Sequence, residues 1–228
     1  MAARRESDTR LLDAPFPLSP GANEDGETRV TAIRFFQEWT NRGREEVFAA
    51  RSQFSVGIGA FAATVNEEPP DSRFFSWRGQ LQYLRVLGRD AALLLRADVQ
   101  LAPETLLPIE QFGLGGSGSV RGYRQDAILA DNGIFASVEA RLPIARISEW
   151  DTVLQFTPFF EIGTGWNSAR ANPEPNNLYS VGMGLRLEVA RKLTARFDWG
   201  IPLGNLLPNR RTLQENGLYF SIEYRPFD

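Results

Sequence analysis

Residues 91–142 read AALLLRADVQLAPETLLPIEQFGLGGSGSVRGYRQDAILADNGIFASVEARL. A run of strict alternation stands at each end of it. Over 91–101, Leu93, Leu95, Ala97, Val99 and Leu101 alternate with Arg96, Asp98 and Gln100. Over 134–142, Ile134, Ala136, Val138, Ala140 and Leu142 alternate with Phe135, Ser137, Glu139 and Arg141. Period two marks strands with one apolar and one polar face. The connection between them shows neither strand alternation nor helical periodicity, and it is far longer than a turn; such loops are functional or disordered. Gly113, Gly115, Gly116, Gly118 and Gly122 suit a backbone that turns tightly or lies close against a wall. The compact part is Val120-Arg121-Gly122-Tyr123. Arg121 carries five fixed donors on a long stem, Tyr123 has an aromatic body with one polar tip, and Gly122 permits the turn between them. That combination is shaped to plug into a polar recess.

Gly113, Gly115 and Gly118 echo the phosphate-cradling GxGxxG pattern. That pattern needs a strand before it, a helix after it and an acidic ribose partner. Here Leu106-Leu107-Pro108-Ile109-Glu110 precedes, and a polar loop and another strand follow, which disfavours a nucleotide site. A plain solvated surface loop stays open at this point.

Working outward, the same alternation returns in segments of about ten residues, as transmembrane β-strands require. They cover 29–39, 47–58, 74–86, 91–101, 134–142, 152–166, 179–189, 193–201 and 217–227. That predicts nine strands, with no convincing helix. The polar faces carry interleaved arginine and carboxylate: Arg34 with Glu38, Arg96 with Asp98, Glu139 with Arg141, Arg186 with Glu188, Arg196 with Asp198, and Glu223 with Arg225. Lys192 is the single lysine in the chain. Paired charges of this kind suit the lining of a water-filled lumen, where each keeps a partner. Trp39, Trp77, Tyr83, Trp166, Tyr179, Trp199 and Tyr224 lie at strand ends or on apolar faces, as aromatic girdles do. The competing expectation is a soluble β-sandwich or ligand-binding barrel with its apolar faces turned inward.

Composition narrows the function classes. The chain has 228 residues, a net charge of −3, no cysteine and no histidine, and a pI near 5.3. The charge offers no general attraction to nucleic acid. Thiolate chemistry, histidine acid–base catalysis, disulfides and the usual zinc and haem ligands are excluded. No cofactor or metal is expected. An enzyme is disfavoured because the carboxylates recur along many strands and do not converge on one cleft. No apolar run reaches the ~20 residues of a membrane helix. The opening MAARRESDTRLLDAPFPL lacks the apolar core of a secretory signal. The mean hydropathy of −0.28 fits a soluble protein and a membrane barrel equally.

The loop QFGLGGSGSVRGYRQDAILADNG (111–133) closely resembles that of the two-partner secretion transporters, the hemolysin-activator branch of the Omp85 outer-membrane superfamily. RFFQEW (34–39), PDSRFFSWRGQ (70–80), LLPIEQFGLGGSGSVRGYRQD (106–126) and TPFFEIGTGWN (157–167) extend the likeness over nearly the whole chain. The resemblance implies an antiparallel transmembrane β-barrel of the outer membrane that passes an unfolded exoprotein through a polar lumen. It also implies a pore loop, at 103–133, that folds back into that lumen. There Arg121 of the VRGY motif engages an acid of the inner wall, for which Glu161 stands at inward parity, where the family more often shows Asp. Expected partners are outer-membrane lipid, the exoprotein and the barrel-assembly machinery. A barrel-assembly factor of the same superfamily is the related alternative. Residues 1–27 resemble the end of a truncated strand and its following loop. The upstream strands and substrate-receiving domains of the family have no counterpart, so the chain resembles a C-terminal part that does not secrete alone. LYFSIEYRPFD resembles a terminal assembly signal, with Asp228 after the expected aromatic, Phe227. Unpaired sheet edges are expected near 28–39 and 217–227.

Overall fold

The computed structural model describes residues 1–11, 14–15, 19–190, 192–204 and 212–226. Phe227 and Asp228 therefore lie outside the described residues. One antiparallel sheet of eleven strands dominates. In chain order these are β1 (Ala2–Asp8), β2 (Glu27–Arg42), β3 (Glu46–Ile58), β4 (Phe75–Gly88), β5 (Ala91–Leu101) and β6 (Asn132–Ile147). Then come β7 (Thr152–Phe156), β8 (Phe159–Trp166), β9 (Asn177–Val189), β10 (Leu193–Pro202) and β11 (Leu218–Tyr224). Each pairs with its neighbours in sequence, while β7 and β8 share one position between β6 and β9. The 152–166 segment, expected as one strand, is split at Thr157-Pro158. Proline has no amide proton for the ladder, and the Pro158 carbonyl alone stays in it, accepting from the Ala140 amide at 3.0 Å.

Connections alternate in length. Short turns at 43–45, 89–90 and 148–151 face one end, and long segments at 59–74, 102–131 and 167–176 face the other. Outer-membrane barrels show this asymmetry, with the long loops on the outer side. At Arg89-Asp90 the chain reverses in two residues, and Asp90 takes a positive φ of 61°, as tight hairpins demand.

The two faces separate as period two dictates. Ile33, Phe35, Val56, Leu81, Ile134, Val138, Ile162, Val181, Leu185, Phe197 and Phe220 are exposed on one face. Ser55, Ser76, Gln100, Ser137, Glu139, Glu161, Ser180 and Asp198 are buried on the other. A soluble sandwich would bury the first set and expose the second. The observed order is that of a barrel wall with hydrocarbon outside, and the expectation of a soluble ligand-binding barrel is set aside. Trp39, Tyr179, Trp199 and Tyr224 belong to the exposed apolar face.

The sheet is open, with β1 and β11 at its ends. The edge expected along 28–39 is only partly free, because β1 pairs with β2 from Asp8↔Glu27 to Ala2↔Ile33. The loop also differs from its expected irregularity. Phe112–Leu114 and Ile128–Ala130 form a small antiparallel hairpin, too short for alternation to reveal. It packs with Val120, Tyr123, Phe135 and Leu178 into a buried cluster, and its descending limb, Leu106-Leu107, packs on Val30, Ala32 and Phe74. The loop thus fills the concave side of the sheet.

Candidate functional site: the loop tip and the polar wall

Arg121 is the largest fully buried side chain of the described residues. Its Nε and Nη2 donate to Oε1 of Glu161 at 2.9 and 2.7 Å, and its backbone amide donates to Oε2 at 2.7 Å. A carboxylate held by a guanidinium fork and a backbone amide fixes orientation as well as charge. Nη1 lies 3.3 Å from Oε2 of Glu139 and 3.3 Å from Oδ1 of Asp198. The Asp198 contact is a charge contact without hydrogen-bond alignment, since Oδ1 has no hydrogen-bond partner. The guanidinium carbon sits 3.4 Å from the centroid of the Phe159 ring, a cation–π contact. β6, β8 and β10 supply these groups because Glu139, Phe159, Glu161 and Asp198 all have inward parity in registered strands.

The wall is cut to admit backbone. Gly122 has φ +102°, a conformation side chains rarely adopt. It lies on Gly200 so closely that a Cβ there would sit 2.6 Å from the Arg121 carbonyl carbon and the Gly122 nitrogen. The Tyr219 hydroxyl accepts from the Gly122 amide at 3.0 Å and donates to the Tyr123 carbonyl at 2.6 Å. The Tyr123 hydroxyl donates to the Tyr179 carbonyl at 3.1 Å and accepts from the Gly204 amide at 3.2 Å. Burial pushes the Tyr123 phenol above its ordinary range, so it keeps the proton it donates. Val120 is fully buried beside Gly163. Among the loop glycines, Gly115 and Gly116 take positive φ and Gly113 abuts the Asp126 carboxylate, whereas Gly118 borders open space.

The wall charges pair both across strands and along them. Arg96 reaches Glu161 at 3.3 Å, and Asp98 is taken by Arg78 at 2.6 Å; the expected Arg96–Asp98 pair does not form. Arg34 likewise goes to Glu110 at 2.7 Å, and Glu38 to Arg51 at 3.4 Å. Residues i and i+2 on one strand stand farther apart than cross-strand neighbours, and Glu38 lies directly opposite Arg51. The other four expected along-strand pairs do form: Arg141–Glu139 at 3.2 Å, Arg186–Glu188 at 3.3 Å, Arg196–Asp198 at 2.6 Å and Arg225–Glu223 at 2.6 Å. Arg196 also reaches Glu139 at 2.5 Å. Four arginines (Arg96, Arg121, Arg141, Arg196) thereby surround three carboxylates (Glu139, Glu161, Asp198).

Several contacts lay beyond sequence reasoning. Glu110, at the foot of the loop, is buried between Arg34 and Arg5, the latter at 3.4 Å. Asp131, fully buried, accepts from the Leu106 amide at 3.0 Å and the Ser168 amide at 3.2 Å, tying the loop base to the next long connection. Tyr219 and Gly200 stand at inward parity, and that parity was the only available signal for them. Beside the loop lies a cavity of about 330 Å³, bordered by Glu38, Arg51, Gln80, Gln82, Arg96 and Gly118.

Comparison with known proteins places the chain among secretion transporters. A family model described as "Haemolysin secretion/activation protein ShlB/FhaC/HecB" matches residues 24–187. The outer membrane transporter CdiB of Escherichia coli O6:K15:H31 (strain 536 / UPEC) is 27% identical over 136 residues, 59% of this chain and 22% of its own. The solved structure of CdiB from Escherichia coli superposes with a TM-score of 0.70 at 20% identity, over 89% of this chain and 37% of that one. CdiB from Acinetobacter baumannii gives 0.61 at 22% identity, over 86% and 33%. This chain therefore spans about a fifth of the length of the curated relative it matches. The fold is that of these β-barrel transporters, and the chain belongs to the ShlB/FhaC/HecB family of haemolysin secretion/activation proteins, the two-partner secretion branch of the Omp85 superfamily.

Proposed function

We propose that this chain forms wall and pore loop of an outer-membrane transporter that passes an unfolded exoprotein through a polar lumen. The observation that carries the reading is the burial of Arg121 against Glu161 on the concave face of a sheet whose convex face is apolar. An isolated buried guanidinium would be costly. Seated among three carboxylates, it anchors the loop inside the lumen with Arg121 as the plug and Glu161 as the wall acid. Loop residues 103–133 then shape the path, and the cavity beside Gly118, bordered by Gln80, Gln82 and Arg51, offers an extended chain amide and charged partners. No bond is made or broken, so the activity is transport and not catalysis. The apolar convex face meets outer-membrane lipid, and insertion of such a wall is work for the barrel-assembly machinery.

Bacteria expressing a full-length transporter of the family with this chain in place of its matching segment, together with that transporter's exoprotein, test this. Protease-accessible exoprotein at the cell surface should require Arg121 and Glu161, and drop with R121A or E161A. Surface exoprotein unaffected by either change would refute the anchored-loop pore.

A further inference from the structure

The loop tip is held by more than charge. Tyr219 sits in β11, the last strand, directly opposite Asp198 of β10. Residues directly opposite share a face, so pairing β11 onto β10 brings the Tyr219 ring beside the carboxylate that touches Arg121. Its hydroxyl then satisfies two backbone groups of the loop at once, the Gly122 amide at 3.0 Å and the Tyr123 carbonyl at 2.6 Å. Both loop residues are buried, and among the described residues the further partner of these groups is the Gly116 amide, which shares the Tyr123 carbonyl at 3.1 Å. The contact spans about a hundred residues of sequence, joining positions 122 and 219. Gly217 supports it: its carbonyl accepts from the Gly200 amide at 2.8 Å, and a Cβ on Gly217 would strike the Gly200 carbonyl. The last strand, the glycine of its neighbour and the loop tip therefore close as one unit.

We propose that Tyr219 is a positioning residue for the pore loop, and that seating of Arg121 depends on β11 being paired. The inference rests on the anchored-loop reading above and extends it. Arg121 reaches its carboxylates only with the Gly122 peptide flat against Gly200, and Tyr219 is the side chain that hydrogen-bonds both sides of that turn. Until β11 zips onto β10, the Gly122 amide lacks its acceptor and the tip is free to leave. Pairing of β11 onto β10 and docking of the loop are thus one event, not two.

The chain has no cysteine, so a single V120C substitution gives a clean probe at a fully buried loop position. Maleimide labelling of V120C in the full chain in outer membranes reports release of the tip. Adding Y219F should raise the labelling rate about tenfold, as loss of a buried hydrogen-bonding group with stranded partners does, while heat-modifiable gel migration of the sheet stays unchanged. Labelling unchanged by Y219F but raised by R121A would overturn the role of Tyr219 and leave the anchored loop standing. Labelling unchanged by both would remove the anchored loop itself, and this inference with it. Should Y219F insert poorly, hydrogen exchange of the otherwise native chain decides the matter. The Gly122 amide should exchange in step with the β11 amides; a Gly122 amide that exchanges freely while β11 is protected overturns the proposal.

Discussion

Replacing Glu161 by Gln keeps the shape of the wall and removes one charge from beneath Arg121. In the native site that carboxylate accepts from Nε, Nη2 and the backbone amide of Arg121, at 2.7–2.9 Å, and from Arg96 at 3.3 Å. Glutamine has one carbonyl for these four donors, and its own NH₂ must face at least one of them. Breaking a buried ion pair from one side costs about 3–5 kcal/mol. Glu139 and Asp198 remain 3.3 Å from Nη1, which places the loss at the lower end. About 3 kcal/mol corresponds to roughly a hundredfold rise in the undocked loop population. Hydrogen exchange of loop residues 112–130 in lipid should accelerate by that factor, with the amides of β9 and β10 unchanged. E139Q is the comparison. Glu139 gives Arg121 one long contact and serves chiefly Arg196 at 2.5 Å and Arg141 at 3.2 Å, so it should loosen the loop less. Native protection of the loop in E161Q, or equal loosening in the two variants, would refute the assignment of Glu161 as principal partner.

Three further outcomes follow from the same geometry. R121E/E161R, an apparent charge swap, should restore little of the loop protection lost in the single variants, because Glu at 121 would face Glu139 and Asp198; full recovery would show that the pair acts alone. G200A should displace the tip without unfolding the sheet, since the new Cβ would lie 2.6 Å from loop backbone; V120C labelling should rise while gel migration holds. R34A should free the loop foot, where Glu110 would keep only Arg5 at 3.4 Å, so exchange should rise over 106–111 and stay native over 120–124.

How much of this was written legibly in the chain depends on distance along it. Alternation over 91–101 and 134–142 placed side chains on faces correctly, because parity is local and hydrocarbon outside gives every strand the same rule. Whether Arg96 would meet Asp98 or Glu161 is a matter of register between strands, which parity leaves free; both residues face inward in either case. The resemblance of the VRGY loop named Arg121 and, with inward parity, Glu161, and the structure sets the two side by side. It did not name Glu139 or Asp198 as contacts of Arg121, although both stood among the lumen charges. Tyr219, Gly200 and Phe159 were unreadable as loop contacts for a plainer reason. Each meets a segment 38 to 97 residues away, and nothing local distinguishes a tyrosine facing a lumen from one facing a loop within it. The hairpin of Phe112–Leu114 with Ile128–Ala130 escaped because three residues show no period. The split at Pro158 was readable from proline alone.

A disulfide scan in intact cells tests the central claim most directly. V120C paired with a cysteine at Gly163, whose Cβ position lies 3.1 Å from a Val120 methyl, should oxidise within one chain to a species that a reducing agent reverses. V120C paired with a cysteine at Ile162, one residue along on the exposed apolar face, should stay reduced. Cross-linking at 162, or none at 163, would mean that the VRGY tip does not rest against the inner wall, and the account of a loop-filled polar pore would be wrong.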